Sequence, residues 1–161
     1  MPLSGRHPLA WLLAAALVPT ARAAVTCSVS ATGPAFGIYS PLGTTPTYAN
    51  GSVMAVCTLL SGGATTVTLV SSYSTGASGQ FATRTMLSGT QSLNYNLYFD
   101  AAYTEIRGNG TGGSQQGGAT LTLTPSAPTQ QTSSVIYGRI PAAQDVGAGA
   151  YLDTIVVTVS Y

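Results

Sequence analysis

Apolar side chains recur at every second position in several short stretches of this chain. Such alternation turns one face of a β-strand toward a core and the other toward solvent. The stretches contain Val25, Cys27, Val29 and Ala31; Val53, Ala55 and Cys57; Val67 and Leu69; Leu93, Tyr95, Leu97 and Phe99; Leu121 and Leu123; Val135 and Tyr137; and Ile155, Val157, Val159 and Tyr161. The pattern predicts about seven or eight strands in an all-β fold, arranged as a sandwich of two sheets.

Residues that favour turns separate these stretches. They are Ser40-Pro41, Asn50-Gly51, Ser61-Gly62-Gly63, Ser88-Gly89, residues 108–118 and Gly147-Ala148-Gly149. Gly, Pro, Asn and Ser each favour chain reversals for their own conformational reasons. The two Asn-Gly pairs also begin glycosylation sequons, at Asn50 and Asn109, but we interpret them as turns. Neither a repeat nor a linker divides the 161 residues, so one domain is predicted.

The first 23 residues are predicted to be a signal peptide. Arg6 and His7 precede an apolar run over residues 9–18, and residues 21–23 (Ala-Arg-Ala) have the small–x–small pattern of a cleavage site. A membrane-spanning helix is the alternative interpretation, but it needs about 20 apolar residues, roughly twice this run. Cleavage after residue 23 leaves a mature domain of residues 24–161 with no predicted membrane span.

The mature chain carries few charges, and none of them belongs to a lysine. Its only histidine and only tryptophan lie in the predicted signal peptide. The remaining charged residues are Arg84, Arg107 and Arg139 with Asp100, Glu105, Asp145 and Asp153, for a net charge of −1. A surface without a basic patch argues against binding to nucleic acid or to anionic lipid.

These residues give little support for catalysis or for cofactor binding. A nucleophile needs a neighbouring base, and the mature chain has neither His nor Lys to act as one. Asp100 with Glu105 could form a glycosidase pair, and Asp145 with Asp153 could bind Ca²⁺, but exposed loop carboxylates are the simpler interpretation. We predict no enzymatic activity, no cofactor and no metal.

Cys27 and Cys57 are the two cysteines of the chain. In an exported protein an even pair favours a disulfide, here between the first strand and the strand near Val53. Reactive free thiols remain the alternative. A metal site is disfavoured because two thiols without histidine supply too few ligands.

The last predicted strand, residues 154–161, is uncharged, lacks Pro and Gly, and is rich in β-branched residues. Segments of this composition pair readily with other strands, and sheet edges are normally protected by charge, Pro or a bulge. Two interpretations stay open: the strand lies inside a sheet, or another chain covers it. Tyrosine is also abundant, and some of the nine tyrosines could form an exposed adhesive patch. The alternation places Tyr95 in the core and makes Tyr98 the more exposed of the two.

Several phrases, taken in order, resemble one known family. They are Cys27, Phe36-Gly37-Ile38-Tyr39, Cys57, Arg84-Thr85-Met86, Leu93-Asn94-Tyr95-Asn96-Leu97-Tyr98, Gly108-Asn109-Gly110-Thr111, Tyr137-Gly138-Arg139-Ile140-Pro141 with Gln144, and Gly149-Ala150-Tyr151-Leu152-Asp153-Thr154. Together they resemble the spore coat protein U domain, which is shared with the pilins of archaic (Csu-type) chaperone–usher systems. The resemblance covers the mature chain, with one departure: Arg107-Gly108-Asn109-Gly110 stands where the family often has Trp-Gly-Asp-Gly.

The resemblance implies an incomplete immunoglobulin-like sandwich that lacks its final strand. A periplasmic chaperone would lend a strand during export, and a neighbouring subunit would replace it after passage through an outer-membrane usher. The chain would then be a structural or adhesive subunit of a pilus or coat at the cell surface. The strand-exchange edge would be Thr154, Ile155, Val157, Val159 and Tyr161. A self-contained secreted module that binds carbohydrate or another surface is the alternative function.

A further expectation follows from the predicted cleavage site. Family pilins that donate a strand carry an extension of a dozen or more residues before the first cysteine, whereas only Ala24, Val25 and Thr26 would precede Cys27 here. Three residues span roughly 10 Å, too little to fill a neighbour's groove. The subunit is therefore expected to accept a strand without donating one, as at the tip of a fibre.

Overall fold

The structure, a computed structural model, describes residues 22–161. The predicted signal peptide lies outside the described residues except for its last two, and it stays a prediction. The described chain is built from eight β-strands: β1 (Ala24–Thr32), β2 (Thr47–Ser61), β3 (Thr65–Tyr73), β4 (Arg84–Ser88), β5 (Gln91–Tyr98), β6 (Gly117–Leu123), β7 (Thr129–Ile140) and β8 (Val157–Ser160). One 3₁₀ turn, Gly76–Ser78, precedes β4. Within residues 22–161 no helix is long and apolar enough to span a membrane.

The strands form two antiparallel sheets, as the alternation predicts. The first sheet has five strands in the order β1-β2-β7-β5-β4, and the second has three in the order β6-β3-β8. Two packed antiparallel sheets of this kind make an immunoglobulin-like sandwich. The strands at the sheet edges are therefore β1 and β4 in the larger sheet and β6 and β8 in the smaller one.

Two apolar clusters fill the space between the sheets. One cluster joins β5 and β7 to Tyr73 and Met86, and it includes Leu97 and Ile136. The other joins β2, β3 and β6 around Cys57 and Leu123, which are both fully buried. Each buried aliphatic side chain contributes about 1.5–3 kcal/mol of transfer free energy, so these clusters hold the sheets face to face.

A disulfide joins Cys27 to Cys57, as predicted. The two residues are direct partners in the β1–β2 ladder, with Cα atoms 4.1 Å apart. The bridge therefore anchors an edge strand to its neighbour within one sheet.

Two turn predictions are wrong in detail. Asn50 and Gly51 lie inside β2. Glycine is needed at position 51 for close packing rather than for a turn, because a Cβ there would lie against the carbonyl oxygen of Thr32. The segment predicted as a turn over residues 108–118 ends early, since β6 begins at Gly117. Ser40-Pro41, Gly62-Gly63 and Ser88-Gly89 do lie at turns or bends.

The last strand is shorter than predicted and lies at a sheet edge. β8 begins at Val157, not Thr154. Before it, the backbone N–H of Val156 donates to the side-chain hydroxyl of Ser74 rather than to a neighbouring strand's carbonyl. β8 pairs with β3 alone, so the last strand lies at a sheet edge and not inside a sheet.

Candidate functional site

The sandwich is open on the side where β1 and β8 approach each other. β1 pairs with β2 only, and β8 pairs with β3 only. The two strands are nevertheless close, because Val25 and Cys27 of β1 pack in the same cluster as Val159 of β8. One side-chain hydrogen bond crosses the opening, from the backbone N–H of Cys27 to the hydroxyl of Tyr161 (3.4 Å). In residues 22–161, no strand lies between these two edges.

The backbone of β1 presents hydrogen-bonding groups toward this opening. Cys27 and Cys57 face each other at the short Cα separation of a pair that does not exchange backbone hydrogen bonds. The N–H and C=O of Cys27 therefore point away from β2, which agrees with the bond to Tyr161. By alternation, Val25, Val29 and Ala31 direct their backbone groups the same way. Such a row of free groups is what a further strand would pair with.

An apolar trough continues from this opening between the two sheets. Its part beside β8 has a volume of about 350 Å³, and the adjoining part, beside residues 146–153, has about 660 Å³. The two parts share Pro34, Phe36, Met86 and Asp153. The trough is lined by the buried residues Tyr73, Met86, Leu93, Tyr95, Leu97, Ile136 and Ile140.

The C-terminal segment forms one wall of the trough with strict alternation. Ile155, Val157 and Val159 are half-buried, whereas Val156 is 60% exposed. Ile155 and Val157 line the trough and Thr154 lies at its mouth. Val159 instead packs with the second cluster, and Tyr161 is mostly exposed beside Cys27. Of the five residues predicted as an exchange edge, Thr154, Ile155 and Val157 thus line the trough, and Val159 and Tyr161 lie beyond it.

Asp153 ties this wall to the rest of the trough. Its carboxylate accepts hydrogen bonds from the hydroxyl of Tyr95 (2.7 Å) and from the backbone N–H of Ala77 (2.9 Å) and Thr154 (2.7 Å). Burial, and then the hydrogen bond to Asp153, raises the pKa of Tyr95. Tyr95 therefore stays protonated at physiological pH, and its hydroxyl joins the wall to β5 through Asp153.

Comparison with known proteins identifies the family. The model of the Spore Coat Protein U domain matches residues 13–158, which is nearly the whole chain. The chain belongs to the spore coat protein U domain family. The match begins inside the predicted signal peptide and runs into β8. Members of this family are structural, non-enzymatic proteins, which supports the prediction that the chain is not an enzyme.

The other comparisons add little to the family match. No curated protein matches the chain. Among solved structures, it is similar to one described as the CsuC–CsuE chaperone–tip adhesion subunit pre-assembly complex from archaic chaperone–usher Csu pili of Acinetobacter baumannii. The identity is 19% and the TM-score is 0.49, with 86% of this chain and 40% of that chain covered. The chain thus spans less than half of the length of the chain it resembles.

Several phrases that resemble the spore coat protein U domain meet around the trough. Gly138 of β7 leaves room for the 34–36 segment, because a Cβ there would lie 2.7 Å from Phe36. Phe36 in turn packs edge-on against Tyr95 (6.0 Å between centroids). The hydroxyl of Tyr39 donates to the carbonyl of Pro141, and Gly37 has a positive φ of 70°. Phe36, Gly37 and Tyr39 line the trough together with residues 146–153.

Of the remaining family residues, Tyr151 lines the second part of the trough and the others lie away from it. The hydroxyl of Tyr151 donates within the loop above β5, to the side chain of Gln91 and the carbonyl of Gly147. Gly108 packs against Ser114, and Gly110 adopts a positive φ of 85° beside Asn109. Asn109 accepts two hydrogen bonds from Thr111, so this stretch is an Asx turn. Tyr137 and Tyr98 lie on the outer face of the larger sheet.

The carboxylates of this spore coat protein U domain are occupied locally. Asp100 accepts hydrogen bonds from Thr104 and from the backbone N–H of Glu105, and these bonds lower its pKa. Asp145 is exposed. Among residues 22–161, no three His, Cys, Asp or Glu side chains come together as a metal site would require. Asp100 is thus engaged by the loop that follows it, and Asp153 by Tyr95 and two backbone N–H groups.

The sequence analysis missed the role of two arginines. Arg84 and Arg107 are both fully buried. Arg84 donates to Ser74 and Asn96 and to the backbone carbonyl of Arg107. Arg107 lies over the ring of Phe99, 3.9 Å from its centroid. Burial lowers the pKa of both guanidinium groups from its ordinary value. A sequence signal did exist: Arg107 stands at the position where the family often has Trp.

Proposed function

We propose that this chain is a structural subunit of a bacterial surface fibre or coat that accepts a β-strand from another protein. The observation that carries the proposal is the opening between β1 and β8, where two unpaired strand edges flank an apolar trough. A strand inserted there would pair with the free backbone groups of β1 and β8. Its alternate side chains would fill the trough, which is the general mode of strand addition.

The partners follow from the family and from the chemistry of the opening. During export a periplasmic chaperone would supply the first strand, and an outer-membrane usher would deliver the subunit to the surface. A neighbouring subunit would then supply the permanent strand. A strand edge with alternating apolar residues and no charge pairs readily with strands of other chains. A chaperone that occupies this edge during export would prevent such pairing.

A peptide titration tests the proposal. The probe is a peptide that copies the N-terminal extension of another family subunit, and the readout is affinity together with the midpoint of thermal unfolding. We expect binding and an increase in the unfolding midpoint, because a ligand that binds only the folded state stabilises it. A control peptide with aspartate at the alternate apolar positions is expected not to bind.

Matched variants locate the binding site. Val157→Thr changes a side chain that faces the trough, while Val156→Thr makes the same change on the solvent side, where Val156 is 60% exposed. We expect Val157→Thr to weaken peptide binding about tenfold, because burying an unbonded hydroxyl costs ~1–3 kcal/mol. Val156→Thr should bind like the wild type. Equal affinities for the two variants, or no binding of the peptide to the wild type, would refute the proposed acceptor site.

The position in the fibre is a separate proposal. We infer that the subunit accepts a strand but gives none, as a tip subunit would, provided that cleavage occurs after Ala23. Mass spectrometry of the protein recovered from the periplasm is expected to place its N-terminus at Ala24. The recovered subunit, mixed with an acceptor subunit stripped of its own strand, should form no complex through its N-terminus. A longer mature N-terminus that fills the acceptor's groove would contradict the tip position.

A further inference from the structure

Four of the nine tyrosines of the chain gather on the outer face of the larger sheet, the face opposite the trough. Tyr48 of β2, Tyr137 of β7 and Tyr98 of β5 point away from the sandwich interior, because they alternate with residues that point inward. The register places Tyr137 directly opposite Tyr98. Tyr48 lies opposite Arg139.

Tyr103, from the loop after β5, is the centre of this cluster. Its ring centroid lies 4.7 Å from that of Tyr48, 5.5 Å from that of Tyr98 and 6.4 Å from that of Tyr137. Tyr103 has a positive φ of 59°, an unfavourable conformation for a bulky residue. Hydrogen bonds from the following residues to Asp100, and from the Tyr103 N–H to the Asp100 carbonyl, maintain it. Strained residues of this kind are concentrated at functional sites.

A single cation adjoins the tyrosines. Arg139 is half-buried in the middle of the same face, and no described residue accepts a hydrogen bond from its buried Nε. Burial raises the pKa of Tyr98 and of Tyr103, and the charge of Arg139 acts in the opposite direction on both. Arg139 also lies two residues from Tyr137 on the same face of β7. Arg84 and Arg107 are fully buried, so Arg139 is the one partly accessible cation between residues 24 and 161.

The carboxylate that acts on Tyr98 is engaged by its own loop. Asp100 directs its oxygens to the N–H groups of Thr104 and Glu105. Asn50, which is exposed and lies opposite Tyr137 in the ladder, adds an amide that can both donate and accept. The face thus combines aromatic rings, a neutral amide and a guanidinium whose Nε has no partner among the described residues.

We propose that this outer face is a binding site for a saccharide that bears a carboxylate, such as a uronic-acid oligosaccharide. The apolar faces of the sugar rings would stack on Tyr48 and Tyr103, and the carboxylate would pair with Arg139. Asn50 would exchange hydrogen bonds with sugar hydroxyls. Arg139 favours a saccharide that carries a carboxylate, because guanidinium–carboxylate hydrogen bonds are strong and directional. The site is independent of the trough, so strand acceptance and saccharide binding can succeed or fail separately.

Isothermal titration calorimetry with a short oligogalacturonate tests the proposal on the mature chain. A neutral galactose oligosaccharide of the same length is the control ligand. We expect binding of the acidic sugar, at least tenfold weaker binding of the neutral one, and a decrease in affinity as salt is raised. Equal binding of the two sugars, or no binding of the acidic one, would overturn the proposal.

Four variants identify the residues responsible. Arg139→Gln removes the charge, and we expect it to weaken binding of oligogalacturonate about tenfold. Tyr103→Asn removes the central ring but tolerates the positive φ, and a similar loss is expected. Tyr48→Ser, at the rim of the cluster, gives a second measure should Tyr103→Asn unfold. Leu60→Ser removes an exposed apolar side chain at the other end of β2 and should leave the affinity unchanged.

A second copy of the chain is the competing occupant of this face. Sedimentation of the wild type and of Tyr103→Asn separates the two cases. A monomeric wild type with the variant effects above supports the saccharide site. Self-association that Tyr103→Asn abolishes, or saccharide affinity that Arg139→Gln leaves unchanged, would overturn it.

Discussion

Arg107→Ala is expected to lower the free energy of unfolding by about 3–5 kcal/mol. The guanidinium is fully buried. It donates to the hydroxyls of Tyr73 (2.7 Å) and Ser134 (2.6 Å), and to the carbonyls of Tyr98 (3.0 Å) and Val135. Alanine would leave these acceptors unsatisfied, and it would also leave a cavity beside Phe99. Urea unfolding monitored by circular dichroism measures the effect.

Two further variants separate the causes. Arg107→Met retains most of the side-chain volume but not the hydrogen bonds. Its free energy of unfolding is therefore expected to lie between that of the wild type and that of Arg107→Ala. Arg139→Ala removes an arginine from the outer face of the same sheet and should change stability by no more than about 1 kcal/mol. An Arg107→Met protein as stable as the wild type would show that packing alone accounts for the residue.

Cys27→Ser is expected to lower the free energy of unfolding by about 3–4 kcal/mol, because the bridge closes a loop of 30 residues in the unfolded chain. The variant should also be recovered poorly from the periplasm, since β1 is an edge strand that pairs with β2 alone. Differential scanning calorimetry of wild type and variant measures the difference.

The matched control for the bridge is the wild type after reduction. It should unfold at the same temperature as Cys27→Ser, because both lack the cross-link. Cys57→Ser is expected to be less stable than Cys27→Ser, since Cys57 is fully buried and the new hydroxyl would enter an apolar cluster. An unfolding midpoint for Cys27→Ser equal to that of the oxidised wild type would remove the bridge from the account of stability.

The strands were predictable because alternation is a local property of the backbone. Leu93, Tyr95 and Leu97 point inward in β5, and nothing beyond their spacing was needed to expect this. The disulfide was equally predictable, since two cysteines behind a predicted signal peptide leave few alternatives. The pairing of β8 with β3 alone depends instead on contacts between distant segments, and the composition of residues 154–161 indicated only that some partner was needed.

The remaining features depend on tertiary contacts that no local pattern encodes. Glycine marks both turns and close approaches of two backbones, which is why Gly51 was assigned to a turn although it lies inside β2. Arginine is usually exposed, so nothing in its type predicted the buried positions of Arg84 and Arg107. The outer-face tyrosine cluster combines three strands and a loop, and it could be recognised only once the strand order was known.

The buried arginines also affect how readily proteases cleave the domain. The chain has no lysine, so a trypsin-like enzyme has three possible cleavage sites between residues 24 and 161. Two of them lie after fully buried side chains and the third lies within β7. Cleavage at any of them requires the strands to separate first, and digestion then follows the population of opened molecules. A surface appendage built from such domains would withstand this class of enzyme for as long as its sheets stay closed.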